Sequence, residues 1–224
     1  MTAPAGDAGA TRATGDAGGI STGRLEAFSD GIFAIAITLL VLELKVPDIG
    51  EHGALWPALR HDWPQFAAYL TSFLVIGTMW ANHHSMFREI RRTDRTLIFL
   101  NLLLFLWTAL LPFTTDLLAT YLRVGGQASH VAAAVYSADL TLCAIAFTVI
   151  WAHAVRARLV DHDMDRRQQR VSILRFGAGT VVYALTFGLA FVSAPLTLAV
   201  QFAINGYYCF EQVRPAAADG TPPR

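Results

Sequence analysis

The sequence predicts an all-α integral membrane protein, a bundle of six membrane-crossing helices, and three observations carry that reading. Hydrophobic residues make up 54% of the 224 and charged residues only 15%, a balance that favours a membrane bundle over a water-soluble domain. The charged residues crowd into the tails and short connectors. Between them run apolar stretches of about 20 residues, the length that crosses the hydrocarbon core of a bilayer.

Taken in order, residues 1–22 are rich in Ala, Gly and Thr and lack the apolar core of a cleavable signal peptide, so they read as a disordered cytoplasmic tail. Residues 23–211 form the membrane domain, with helices expected near Leu25–Val46, Phe66–Phe87, Thr96–Ala119, Val131–Val155, Val171–Val192 and Pro195–Phe210. Pro112 should kink or loosen the third helix. Ser193-Ala194-Pro195 makes a tight hairpin, with Pro195 suited to a helix start because its missing N–H costs little there. Residues 212–224 read as a second disordered cytoplasmic tail.

Basic residues set the orientation. Arg88, Arg91, Arg92 and Arg95 follow the second helix, and Arg156, Arg158, Arg166, Arg167 and Arg170 follow the fourth, whereas the other connectors hold only Lys45, Arg60 and Arg123. The positive-inside rule therefore puts those two connectors and both termini in the cytoplasm, at the inner membrane of a cell. Trp56 and Trp63 fall in an outer loop, where interfacial aromatics belong. The stretch from Arg156 to Arg170 also holds Asp161, His162, Asp163 and Asp165 and reads as a solvated loop that sets topology, the alternative being an amphipathic extension touching anionic lipid. Formal net charge is zero, so nothing points to nucleic acid. Cys143 and Cys209 lie in apolar segments and read as small buried residues.

A charged side chain inside a membrane helix calls for a partner or a task. Asp30 sits about 8 Å along the first helix from its cytoplasmic end, beside Ser29. The second helix brings Trp80, Asn82, His83 and His84 to the same depth, and the third brings Asn101. These groups, together with Arg24 and Phe28 of the first helix, are expected to form a polar network across three helices. Neighbouring histidines on a helix point about 100° apart, and no HxxxH or HExxH spacing is present, which disfavours a metal site. No nucleophile motif or nucleotide-binding glycine loop supports an enzyme, and no cofactor is implied. The titratable groups Asp30 and His83 or His84 leave open a proton-coupled transporter or proton pathway.

Ile35, Leu39 and Leu42 recur at i, i+4 and i+7, one narrow apolar stripe, with Thr38 about 60° aside and Asp30 about 140° away. The run Arg24-Leu-Glu-Ala-Phe28-Ser29-Asp30, with Thr38 eight residues after the aspartate, resembles the RxxxFSDxxxxxxxT signature of the transmembrane protein 175 family, bacterial and lysosomal potassium channels. Trp80-Ala-Asn82-His83-His84, Asn101 and Leu111-Pro112-Phe113 are similar to motifs of its bacterial members, so the resemblance covers about residues 24–115. It implies a weakly selective, potassium-permeable channel with no carbonyl filter, its pore lined by first helices around a symmetry axis. Ile35 would form the narrowest hydrophobic ring, Leu39 and Leu42 further rings, and Thr38 a hydroxyl affecting selectivity, with potassium in the pore the only metal. Animal members hold two six-helix repeats and pair as dimers, so this single repeat implies a homotetramer. Glu43 could concentrate cations at the mouth or pair with Lys45. A single Lys among the basic residues hints at a GC-rich bacterial genome.

Overall fold

The computed structural model describes residues 21–50, 53–160 and 166–213. The two predicted tails fall almost wholly outside these residues, as do Asp161, His162, Asp163 and Asp165. Among the described residues helices dominate: α1 Thr22–Leu39 continued by a 3-10 turn Leu40–Glu43, α2 Leu55–His61, α3 Trp63–Glu89, α4 Arg95–Val124, α5 Gly126–Arg156, α6 Arg166–Ala190 and α7 Ala194–Val213.

Among the described residues four stretches are long and apolar enough to cross a bilayer: Thr22–Glu43, Arg95–Val124, Gly126–Arg156 and Arg167–Ala190. α3 and α7 reach 27 and 20 residues, but polar side chains dilute their apolar content. Those polar groups point inward, with Ser72, His83, Gln201 and Asn205 all fully buried. Meanwhile Phe99, Leu106 and Phe113 on α4 and Leu174 and Leu185 on α6 are exposed. Polar groups gathered within an otherwise apolar core, with large apolar side chains also facing outward, differ from the polar exterior of a water-soluble fold. The arrangement suits hydrocarbon, where an unmatched polar group is costly and apolar surface is not.

The core is clearest in the α4–α5 hairpin. Leu97, Asn101, Leu104, Thr108, Leu111, Thr115, Leu118 and Leu122 are buried along α4, alternating steps of four and three. On α5 the same steps run through Ser129, Ala133, Tyr136, Leu140, Cys143, Phe147, Ile150 and Ala154. This heptad spacing lets side chains of one helix seat between those of the other. The hydroxyls in the stripe are matched locally, Thr108 donating to the Leu104 carbonyl at 3.0 Å and Thr115 to that of Leu111 at 2.6 Å. The hairpin turns at Gly125 and Gly126, whose φ angles of 72° and 61° lie in the left-handed region that favours glycine. Pro112 sits inside α4, which runs on to Val124.

Several expectations need correction. α1 was expected to reach Val46, but its α-helix ends at Leu39 and the 3-10 turn at Glu43. Two causes lie in the next residues: Pro47 disfavours helix at Val46, and the backbone N–H of Lys45 is held by Gln65 Oε1 at 2.9 Å. Lys45 pairs with Asp116 of α4 at 3.1 Å rather than with Glu43. Charge is not confined to tails and connectors either, since Asp116 and Asp139 lie within α4 and α5.

The basic loop after α5 begins docked rather than solvated. Val160 bridges Ile90, the Leu159 carbonyl accepts from the Arg91 N–H at 2.8 Å, and the Arg158 carbonyl accepts from Arg92 Nη2 at 3.1 Å. Asp94 completes the junction, accepting from the Leu97 N–H at 2.7 Å as the α4 cap and pairing with His153 at 2.9 Å. Burial pushes the Asp94 carboxyl up, but the Leu97 amide and His153 outweigh it and hold the group below its ordinary value.

Candidate functional site

Two faces of α1 divide the work. Leu25, Ser29, Phe33 and Ala36 are buried against α3 and α4, continued by Leu40 in the 3-10 turn, at the steps of three and four that mark a packed face. Opposite them Ile35 is 58% exposed, Leu39 41% and Leu42 72%, and Thr38 shares that surface. Because the helix tightens after Leu39, three residues make one turn, so Leu42 stands directly over Leu39. The Thr38 hydroxyl lies 2.9 Å from both the Ala34 and Ile35 carbonyls, which uses its proton inward and leaves oxygen lone pairs outward. Glu43 closes the turn.

Behind this face, α1 and α3 run antiparallel and meet in polar rungs. Trp80 Nε1 donates to Asp30 Oδ1 at 3.0 Å. One turn nearer the start of α1, His84 Nδ1 lies 2.9 Å from Glu26 Oε1, and its ring stacks beside Trp80. The same register carries to the far end, where Gln65 meets Lys45. Phe28 and Phe33 pack edge-on against Phe105 of α4.

A second polar pair joins α3 to α4. His83 Nε2 lies 3.0 Å from Asn101 Oδ1, and Asn101 Nδ2 donates to the Leu97 carbonyl. An amide oxygen can only accept, so Nε2 carries the proton and Nδ1 is left as a buried acceptor without a partner. Phe87 stacks on the imidazole at 4.3 Å and Phe33 meets it at 5.4 Å.

The groups expected in one network are thus distributed. Asp30 takes the indole, while His83 and His84 reach Asn101 and Glu26 instead of the carboxylate. Ser29 donates to the Leu25 carbonyl of its own helix at 2.7 Å. Asn82 lies toward α5 and α6, and Arg24 is exposed. Glu26 was missed, although its spacing of four from Asp30 matches that of His84 from Trp80. Also missed was a deeper layer: Ser72 joins the Thr115 and Tyr136 hydroxyls at 2.7 and 2.8 Å, and Asp139 accepts from Thr114 at 3.0 Å. The isolated acid in an apolar run was the signal for Asp139.

These features define a helical membrane protein whose first helix is pinned by polar rungs on one face and offers an unpacked apolar stripe on the other. The family model described as endosomal/lysosomal potassium channel TMEM175 matches residues 24–112. A potassium channel of Streptomyces collinus is 53% identical over 193 residues, covering 86% of this chain and 93% of that one. A potassium channel of Chamaesiphon minutus is 44% identical over 190 residues, covering 84% and 93%. The crystal structure of a lysosomal potassium-selective channel TMEM175 homolog from Chamaesiphon minutus matches with a TM-score of 0.76 at 40% identity, covering 86% of this chain and 98% of that chain. The chain belongs to the TMEM175 family.

Proposed function

We propose that this protein is a potassium-permeable, weakly selective cation channel of the inner membrane. Four copies set their first helices around a common axis, and α3 and α7 cross the bilayer with the four more apolar helices. Both termini face the cytoplasm. The observation that carries the reading is the exposed stripe of Ile35, Leu39 and Leu42 on a helix anchored from behind, in a chain whose relatives are named potassium channels.

Four Ile35 side chains around an axis form a short dry barrier. An ion crossing it sheds part of its hydration with no compensating oxygen, and potassium, the more weakly hydrated, loses less than sodium. Thr38 lone pairs soften that loss on one side of the barrier. Glu43 at the outer end raises the local cation concentration. The polar rungs do not touch the ion; they hold the rotation of α1 that keeps the stripe on the axis.

Proteoliposome flux tests the assignment. Ile35→Ala should raise potassium flux and reduce preference over sodium, and Thr38→Ala should alter the preference. Leu39→Cys should crosslink between copies under mild oxidation. Unchanged flux and preference in both pore variants, with no crosslink at Leu39→Cys, would remove the pore from α1.

A further inference from the structure

α3 leaves one face uncovered along most of its length. Trp63, Phe66, Leu70, Phe73 and Trp80 are between 41 and 53% exposed, and they follow one another in steps of three and four with Gly77 filling the break. This is the spacing of a seam that packs against another helix. A side chain at Gly77 would enter open space.

Lipid alone does not suit this face. Trp80 lies nine residues before the end of α3 at Glu89, about 13 Å in, and its acceptor Asp30 is only half-buried. A carboxylate open to hydrocarbon at that depth is costly. Beside it on α1, Ala27, Gly31, Ala34 and Thr38 are exposed, again in steps of four and three, and a side chain at Gly31 would also enter open space. Small residues in such a row let another helix come close.

The ring of first helices proposed above decides which helix that is. α3 flanks α1 on the side of Glu26 and Asp30, and α4 flanks it on the side of Phe28. With the apolar stripe of α1 toward the axis, the α3 flank of each copy meets the α4 flank of the next, a head-to-tail contact that closes into a ring. α4 offers an outward stripe there in Phe99, Leu102, Leu106 and Phe113. At about 200 Å² for each large side chain laid bare, the half-covered residues of the two stripes leave about 1,000 Å² to be buried, the size at which a contact becomes specific. We infer that the α3 stripe and the small-residue row of α1 receive the α4 stripe of a second copy of this chain, so that each Asp30–Trp80 bond is sealed by the neighbouring subunit. Rotation about the membrane normal keeps equal depths level between copies. Within one copy His83 meets Asn101 and Ser72 meets Thr115, which puts Phe73 level with Phe113 and Phe66 level with Tyr121.

Disulfide crosslinking of the full chain in its membrane, with Cys143 and Cys209 replaced by Ala, tests the contact. Phe73→Cys combined with Phe113→Cys, or Phe66→Cys with Tyr121→Cys, should give a ladder of two, three and four copies on a non-reducing gel. Each single variant should stay monomeric, and the two singles of a pair, co-expressed, should crosslink to each other and stop at two copies. Crosslinking by Phe73→Cys alone overturns the head-to-tail contact in favour of a twofold one. Monomer alone from both pairs overturns the interface; if Leu39→Cys still crosslinks, the ring of first helices survives that result, and if it does not, the ring falls too. Gly77→Leu meets no neighbour within its own copy, so native mass spectrometry should show its assembly shifted about tenfold toward single copies, the effect of one overpacked contact. An unshifted assembly of Gly77→Leu overturns the α3 seam.

Discussion

Replacing Trp80 by Phe keeps an aromatic ring beside His84 and removes only the indole N–H that meets Asp30 at 3.0 Å. A hydrogen bond to a charged acceptor contributes about 1.5–3 kcal/mol when shielded. Trp80 is 46% exposed in the protomer, so screening reduces the figure to about 1 kcal/mol, close to a fivefold change in equilibrium constant. The Glu26–His84 rung remains, so α1 should loosen without detaching. Reversible unfolding by sodium dodecyl sulfate in mixed micelles, run on Trp80→Phe, Asp30→Asn and the double variant, isolates the pairwise contribution. The expected coupling is about 1 kcal/mol. A coupling below about 0.3 kcal/mol, within ordinary additivity, would refute the claim that this bond fixes the rotation of α1.

Further outcomes are expected at Asp94, at Gly125 and along α4. Asp94→Ala removes the α4 cap and the His153 partner and should cost about 1 kcal/mol or more in the same unfolding assay. Because the folded Asp94 carboxyl lies below its ordinary value, its stabilisation is complete above about pH 4 and fades as pH falls through the folded value; Asp94→Asn should flatten that part of the pH profile while keeping the cap. Gly125, with φ 72° and ψ −168°, occupies a region essentially reserved for glycine, so Gly125→Ala should cost about 1–3 kcal/mol. Leu104, fully buried in the α4 stripe, should cost about 2–5 kcal/mol as Ala, whereas Leu106→Ala on the outer face of the same helix should change unfolding little.

Much of the fold was legible because hydrocarbon imposes long apolar runs, and all six long helices overlap the predicted stretches. Their ends were less legible. α5 starts at Gly126 rather than Val131, and α4 runs to Val124 rather than Ala119, because polar residues at the ends of a span remain helical in the interfacial layer where hydropathy has already fallen. The short α2 left no signal in seven residues. Depth placed Trp80, His83 and His84 level with Asp30, but it could not say that only the indole of Trp80 meets the carboxylate. Depth orders residues along the bilayer normal, whereas the choice between Asn101 and Glu26 depends on which side of α3 each imidazole leaves. Asp139 and its Thr114 donor show the converse, a legible signal passed over because charge was counted by region.

The 3-10 turn at the end of α1 has a mechanical consequence. Rewinding the three steps from Leu39 to Leu42 as α-helix would swing Leu42 by about 60° and draw it back by about 1.5 Å. Ile35 would not move, since the helix before Leu39 is clamped by Phe33 and Ala36. The tip of α1 can therefore change pitch like the end of a screw whose shank is fixed, and the side chain it turns is Leu42, the most exposed of the three in the stripe.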